Sequence, residues 1–301
     1  MAAVLSLGRS SPSLSIHMAT LQNVSDTARW VAVYRAMETA RPDAIFRDPF
    51  ADRLAGERGH QIMNEMKRGR ATAWAMIVRT AVMDEIIMDR VKNGGVDTVL
   101  NLAAGLDARA WRLPLPPTLQ WFDVDLPAMS AYKADLMQNE KPVCRYESIA
   151  ADLTNESVRA DVFRKVNGVA GKMLVITEGL LVYLDESDVI SLARAIHGMT
   201  SARWWLSDIA SPMLLKMMQR SWGKQLSEGN APFKFGPPDS AAFFTPLGWK
   251  QIAYRPMMEE ARRLNREMPM MWLWRIPMLF MPRSRRTAMR TMSGTILLER
   301  T

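Results

Sequence analysis

The residues best able to do chemistry stand where short apolar runs give way to small or acidic residues. The run Val96–Leu102 leads into Asn101-Leu102-Ala103-Ala104-Gly105-Leu106-Asp107. Small residues at such a strand-to-helix turn let a nucleotide or nucleoside approach the backbone; one glycine is not GxGxxG, and a structural turn accounts for the same residues. The next run, Leu119–Val124, ends in Asp123 and Asp125. A carboxylate there can accept hydrogen bonds from both ribose hydroxyls or cap the helix that Pro127 opens, and the two roles divide between the two aspartates. The third run, Val143–Ile149, precedes Ala150-Ala151-Asp152-Leu153-Thr154, where Asp152 can bond an adenine amino group and Leu153 pack on its ring. The fourth, Met173–Thr177, precedes Glu178-Gly179-Leu180-Leu181-Val182-Tyr183. A glutamate buried among apolar neighbours is costly unless it meets a donor or a cation, which makes Glu178 a candidate contact for a cationic ligand.

The elements that must hold these residues follow from periodicity. Ala28, Val31, Ala32, Ala36 and Met37 recur at helical spacing over residues 26–41, and Pro42 stops that helix. A short helix is expected at 50–56 and a longer one over about 61–92. Further helices are expected at 127–139, 156–166, from Asp185 or Ser187 to His197, and at 257–267. Arg203–Ile209 reads as a fifth strand, with Gly248–Arg255 and Gly294–Arg300 as the last two. Strands alternating with helices give an α/β fold, a doubly wound and mostly parallel sheet of seven strands. The stretch 211–246 reads as an irregular lid or binding insert after strand five. Its Met213, Met217, Met218, Trp222, Phe233, Phe235, Phe243 and Phe244 suit an apolar pocket or the core. Residues 1–18 are expected to be an extension without order, and 19–301 a single domain with a helical cap over 19–95.

Composition narrows the classes. The single cysteine, Cys144, excludes an intramolecular disulfide and cysteine-based metal centres. The three histidines, His17, His60 and His197, are far apart in sequence, so no metal site is expected. A formal charge of +8 raises a nucleic-acid or membrane partner, although net charge speaks to association rather than to fold. The excess lies late in the chain, from Arg255 to Arg300. The segment 271–282, with Trp272, Trp274, Leu279 and Phe280 beside Arg283, Arg285 and Arg286, has three readings: core packing, a membrane-surface contact, or the contact of a homodimer. No apolar run reaches the ~20 residues that span a bilayer, and a cytoplasmic protein is expected.

The order of the motifs resembles the leucine carboxyl methyltransferase-like family of class I methyltransferases, and within it the branch of tetracenomycin-type polyketide O-methyltransferases. Five blocks carry the resemblance: TARWVAVYRAMETARPDAIFRDPFA at 27–51, VRTAVMD at 78–84, VLNLAAGLDARAWRL at 99–113, WFDVDLPAMSAYKADLM at 121–137, and ADLTNESV with ITEGLLVYL at 151–158 and 176–184. The resemblance implies a Rossmann-like sheet and the cofactor S-adenosyl-L-methionine (SAM). Arg79 would pair with the SAM carboxylate, Arg35 being a second candidate for that contact. Ala103 and Gly105, with Asp107 nearby, would line the methionine moiety, and Asp125 would hold the ribose. Asp152 and Leu153 would frame the adenine, Glu178 would face the amino-acid end, and the catalytic position would be Tyr183, near the transferred methyl. The family has glycine where this chain has Ala103, which is strained if that position needs positive φ. The implied acceptor is a small acidic or phenolic molecule, methylated on a carboxylate or hydroxyl. No histidine falls in a motif, and a carboxylate needs no general base whereas a phenol benefits from one; the sequence therefore favours the acid. A protein C-terminal carboxylate and a non-catalytic SAM-binding module are the alternatives. Thr177-Glu178-Gly179-Leu180 stands where amino-methylating enzymes carry Asn/Asp-Pro-Pro-aromatic, so nucleic acid is not expected as a substrate.

Overall fold

Within each central strand, neighbouring residues face opposite sides of the sheet, and both sides are apolar. Val99, Trp121, Leu174 and Trp204 enter one core; Leu100, Phe122, Val175 and Trp205 enter the other. A period of two with both faces buried is the signature of a sheet covered by helices on each side. The computed structural model describes residues 24–66, 69–228, 232–268, 273, 281–282, 287 and 289–301.

The sheet has the strand order β3-β2-β1-β4-β5-β7-β6. Its strands are β1 (Thr98–Leu102), β2 (Gln120–Asp125), β3 (Arg145–Ala150), β4 (Met173–Thr177), β5 (Ala202–Ala210), β6 (Trp249–Pro256) and β7 (Ser293–Arg300). All pairings are parallel except those of β7, which runs antiparallel to both β5 and β6. One core is closed by α1 (Val24–Thr39), α2 (Ala51–Glu65), α3 (Gly69–Asn93), the single turn α4 (Arg109–Arg112) and α5 (Pro127–Met137). The other is closed by α6 (Glu156–Asn167) and α7 (Glu186–Gly198). The chain reverses direction across the sheet between β1 and β4, and in an open α/β sheet the crevice at that switch point is where ligands bind.

Four expectations differ from the structure. The expected break between a helix at 50–56 and one starting near 61 is a kink inside α2, where Gly56 adopts φ 60° and ψ −179°; the long helix begins only at Gly69. The stretch 211–246 is not irregular: it holds α8 (Pro212–Glu228) and a 3₁₀ segment at Ser240–Leu247. Asp185 occupies the N-cap position of α7, but its side chain makes no cap bond and pairs instead with Lys234 at 2.8 Å. The helix α9 (Met257–Arg263) ends slightly earlier than its periodicity suggests.

Much of the late basic stretch is neutralised by pairing. Arg255 binds Glu260 at 2.6 Å, Arg263 binds Glu85 at 2.7 Å, and buried Arg266 binds buried Glu38 of α1 at 2.8 Å. Residues 1–18 lie outside the described residues, as do Trp272, Trp274, Leu279, Phe280, Arg283, Arg285 and Arg286. Among the described residues no helix is long and apolar enough to cross a membrane.

Asp123, one of the two acids ending β2, is a structural residue. It is buried and accepts from Lys133 Nζ at 2.6 Å, Trp121 Nε1 at 2.8 Å and Asn101 Nδ2 at 3.0 Å. Removing Lys133 strands a buried charge. Lys133→Met is expected to cost about 3–5 kcal/mol in denaturant unfolding, and the double variant Lys133→Met/Asp123→Leu to recover much of that loss; equal stability of Lys133→Met and wild type would contradict this.

Candidate active site

A cavity of about 630 Å³ opens over the carboxyl ends of β1 to β5. It is bordered by Arg79, Ala103, Gly105, Asp107, Asp125, Asp152, Leu153, Glu178 and Tyr183, and also by Arg35. The fold thus brings to one place residues that lie more than a hundred positions apart in the chain.

The turn after β1 is held from the side. Asp125 Oδ2 accepts the Gly105 N–H at 2.6 Å, and its Oδ1 accepts the Leu126 N–H at 2.7 Å. Burial raises the pKa of Asp125 above the usual aspartate value, partly offset by those two bonds. Gly105 has φ 51°, and a Cβ there would lie 3.1 Å from Ala28 Cβ, so this position requires glycine. Ala103 has φ 52°: it is an alanine in the left-handed region, the strained alternative raised by the sequence.

At the third strand, both bonds to Asp152 from Thr154, N–H at 2.9 Å and Oγ1 at 2.7 Å, fall on Oδ1 and hold its pKa below the usual value. Asp152 is exposed. Leu153 has its carbonyl fixed by Arg159 at 3.0 Å.

The end of β4 carries the densest electrostatics. Glu178 Oε1 accepts from Arg79 Nε at 3.0 Å, and Oε2 accepts from Arg109 Nη1 at 2.7 Å. Burial disfavours the Glu178 anion, but Arg109 and Arg79 outweigh it and hold its pKa below the ordinary glutamate value. Burial likewise works against the Arg79 guanidinium, and Asp208 and Glu178 raise its pKa past the usual value. Arg79 Nη1 donates to Asp208 Oδ2 at 3.1 Å, and the Gly179 N–H donates to Asp208 Oδ1 at 2.6 Å. Arg109 also binds Asp107 at 2.7 Å and Asp84 at 2.6 Å. Burial opposes the Asp107 carboxylate, but Arg109, Lys133 and Arg112 drive its pKa well below normal.

Tyr183 sits in the 3₁₀ turn Leu181–Tyr183, its ring 5.4 Å from that of Phe233. Burial raises its pKa, opposed by a hydrogen bond with Thr27 and by Arg79. The far wall is apolar: Trp30, Val31, Trp74, Met76, Leu214, Met218, Phe233 and Met257. Of the aromatic and methionine residues picked out in 211–246, Met218, Phe233 and Phe235 reach the cavity. Met213 and Met217 are exposed, Phe244 is fully buried in the core, and Phe243 packs against that core; the Trp222 side chain lies outside the described residues. Neither described histidine borders the cavity. His60 pairs with exposed Asp52 at 3.0 Å, and His197 packs edge-on against Trp249.

Sequence reasoning assigned no role to Arg109, Asn101 or Asp208. Asp208 stands next to last in the run RWWLSDI, near the end of β5, a position akin to the acid-at-a-strand-end signal that marked Asp125 and Glu178. Arg109 carries no such mark, since its partners Asp84 and Glu178 are distant in sequence.

The sheet order, the antiparallel β7 and the cavity at the switch point define a class I methyltransferase-like fold. A structure from Thermobifida fusca, provisionally named a methyltransferase, aligns over 96% of this chain and 98% of its own, with TM-score 0.56 and 12% identity. A DUF574 family protein from Streptomyces avermitilis aligns over 90% and 97%, with TM-score 0.54 and 11% identity. Residues 28–197 match the leucine carboxyl methyltransferase family, and the chain belongs to it. A provisionally named S-adenosyl-L-methionine-dependent methyltransferase of Streptomyces coelicolor is 34% identical over 186 residues, 58% of this chain and 65% of that protein. One from Mycobacteroides abscessus is 34% identical over 175 residues, 54% and 56% of the two chains. The aligned region thus spans less than two thirds of each relative's length.

Ala103 yields a prediction. A left-handed L-residue costs about 1–2 kcal/mol, and glycine gives back about 0.5–1 kcal/mol through its freer unfolded state. Ala103→Gly is expected to leave the protein more stable by up to about 1 kcal/mol in thermal unfolding. A lower midpoint for the variant would show that the alanine methyl contributes packing that outweighs the strain.

Proposed function

We propose that the chain is a SAM-dependent methyltransferase acting on an oxygen of a small apolar molecule, such as a polyketide-like secondary metabolite. The observation that carries this reading is the order of polar groups along the strand ends. Asp152 follows β3, Asp125 ends β2, the Ala103–Gly105 turn follows β1, and Glu178 with Arg79 lies at β4. With strands about 4.8 Å apart, this row spans about 14 Å. The donor set fits an extended adenosyl amino acid in that order. Asp152 and Leu153 suit an adenine; the Asp125 carboxylate, fixed by two N–H groups, retains acceptor capacity for vicinal hydroxyls; Arg79 and Glu178 offer a cation and an anion to an α-amino acid. When bound, SAM supplies a methyl group already activated on a sulfonium. The protein's part is alignment and exclusion of water. Buried Arg109 and half-buried Glu178 keep the Arg79 guanidinium in one position, and the Trp30, Trp74, Met218 and Phe233 wall provides a dry chamber next to it. Family membership supports oxygen as the acceptor atom, and the apolar lining supports a small molecule over a polar macromolecule.

Calorimetric titration with SAM and S-adenosylhomocysteine (SAH) is expected to show binding of both by the wild type. Losing a hydrogen bond to a charged group costs about 1.5–3 kcal/mol, so Asp125→Asn and Arg79→Ala are expected to bind about 10- to 100-fold more weakly. Because the Asp125 pKa is raised, its acceptor form is lost as pH falls through a value above the ordinary aspartate range. Wild-type affinity should therefore decline before an exposed aspartate would titrate, and the decline should be absent in Asp125→Asn. A wild type that binds neither ligand would contradict the proposal.

A further inference from the structure

The cavity has a limb that the strand-end row does not use. Along α1, Thr27, Trp30, Val31 and Tyr34 border it, at spacings of three, four and seven residues. Along α3, Thr72, Ala75, Met76 and Arg79 border it at the same spacings. Residues so spaced share one face of a helix over two turns. The two faces run in opposite directions and meet at both ends. At one end Tyr183 hydrogen-bonds Thr27 and feels the charge of Arg79. At the other, the Tyr34 hydroxyl and Thr72 Oγ1 lie 3.2 Å apart in a hydrogen bond between the helices. At about 1.5 Å of rise per residue, the stretch from Thr27 to Tyr34, or from Arg79 back to Thr72, measures about 10 Å.

This slot is polar at its ends and apolar between them. Trp30, Val31, Ala75 and Met76 form its middle. Its near end joins the strand-end row where Arg79 meets Glu178. The sulfonium of SAM links the ribose to the amino acid, so a SAM lying along that row has its methyl close to where the slot begins. The far end offers two neutral hydroxyls. Tyr34 is buried, burial raises its pKa, and both Thr72 and Trp30 hydrogen-bond it. Thr72 is the more exposed of the pair. A threonine hydroxyl can donate once and accept twice, so the bond to Tyr34 orients Thr72 and still permits a bond to a ligand oxygen.

We propose that the slot between α1 and α3 measures the acceptor: an elongated apolar molecule presents the oxygen to be methylated at the Arg79 and Tyr183 end and carries a second, uncharged oxygen, a hydroxyl or carbonyl, about 10 Å away on Thr72. This rests on the methyltransferase reading above and narrows its small apolar molecule to one with polar groups at both ends. Thr72 then sets the specificity, and Tyr34 positions it. An apolar wall by itself holds a ligand without fixing how far it slides, whereas a polar group at a set distance fixes its orientation. Methyl transfer needs that register, because the attacking oxygen must stand in line with the sulfur–carbon bond.

The test is calorimetric binding of two rigid probes, 4′-hydroxybiphenyl-4-carboxylate and biphenyl-4-carboxylate, to the SAH-loaded full chain at neutral pH. In the first, carboxylate and hydroxyl are about as far apart as the slot is long. The wild type is expected to bind the hydroxylated probe at least about fivefold more tightly, the gain of one hydrogen bond. Thr72→Val is expected to shrink that preference below about twofold, while the affinities for biphenyl-4-carboxylate and for SAH stay within about twofold of wild type. Thr72→Ser, which keeps the hydroxyl, is expected to retain the preference, and Tyr34→Phe to weaken it. A bond that merely joined the helices would, on removal, lower the affinity for both probes together. The shorter pair, 6-hydroxy-2-naphthoate and 2-naphthoate, is expected to show less than about twofold gain from its hydroxyl. Equal binding of the biphenyl probes by the wild type, binding of neither, an equal gain with the shorter pair, a preference unmoved in Thr72→Val or Tyr34→Phe, or its loss in Thr72→Ser overturns the proposal. A wild type that fails to bind SAH is a different result, since it contradicts the methyltransferase reading itself and this proposal falls with it.

Discussion

A continuous chain of opposite charges holds this site together. It runs from Arg35 through Asp48, Arg112, Asp84 and Arg109, forks to Asp107 and Glu178, and passes through Arg79 to Asp208. Its members come from α1, α3, α4, the turn after β1, the ends of β4 and β5, and the loop before α2. Each pair is largely out of water, where removing one partner typically costs about 3–5 kcal/mol. Replacing the whole set with apolar residues would often be neutral for stability, so what the chain accomplishes is positional. Glu178 spends one oxygen on Arg79 and the other on Arg109, and Arg79 cannot swing away without exposing both Glu178 and Asp208. The row of cavity-facing groups at the strand ends inherits its rigidity from this arrangement.

The sheet was largely legible in the sequence because its strands are short apolar runs buried on both faces, separated by helices of clear period. Glu178 and Asp125 were legible for a related reason: an acid at the end of an apolar strand is costly to bury and so carries information. Asp123 and Asp125, two residues apart, could not be separated by that rule. They face opposite environments, one meeting Lys133 and Trp121, the other the Gly105 turn. Arg109 was not legible, since its role depends on Asp84, Asp107 and Glu178 meeting in space. The helix α8 was missed because an abundance of methionine and a nearby proline read as irregular, and the kink at Gly56 was taken for a helix end because glycine there does break the helical backbone.

Ala103 carries a local cost. An alanine at φ 52° stores strain at the turn after β1. It sits where Gly105, Asp125 and the charge chain over-determine the backbone.

The most direct test is a crystal structure of the SAH complex. The account predicts the ligand stretched along the strand ends, with adenine at Asp152 and Leu153, ribose hydroxyls on Asp125, and the amino-acid end at Arg79 and Glu178. Arg109 should remain on Glu178, Asp107 and Asp84. A ligand lying elsewhere, or one whose binding pulls Arg109 from Glu178, would contradict the view that a prebuilt chain of charges positions this site.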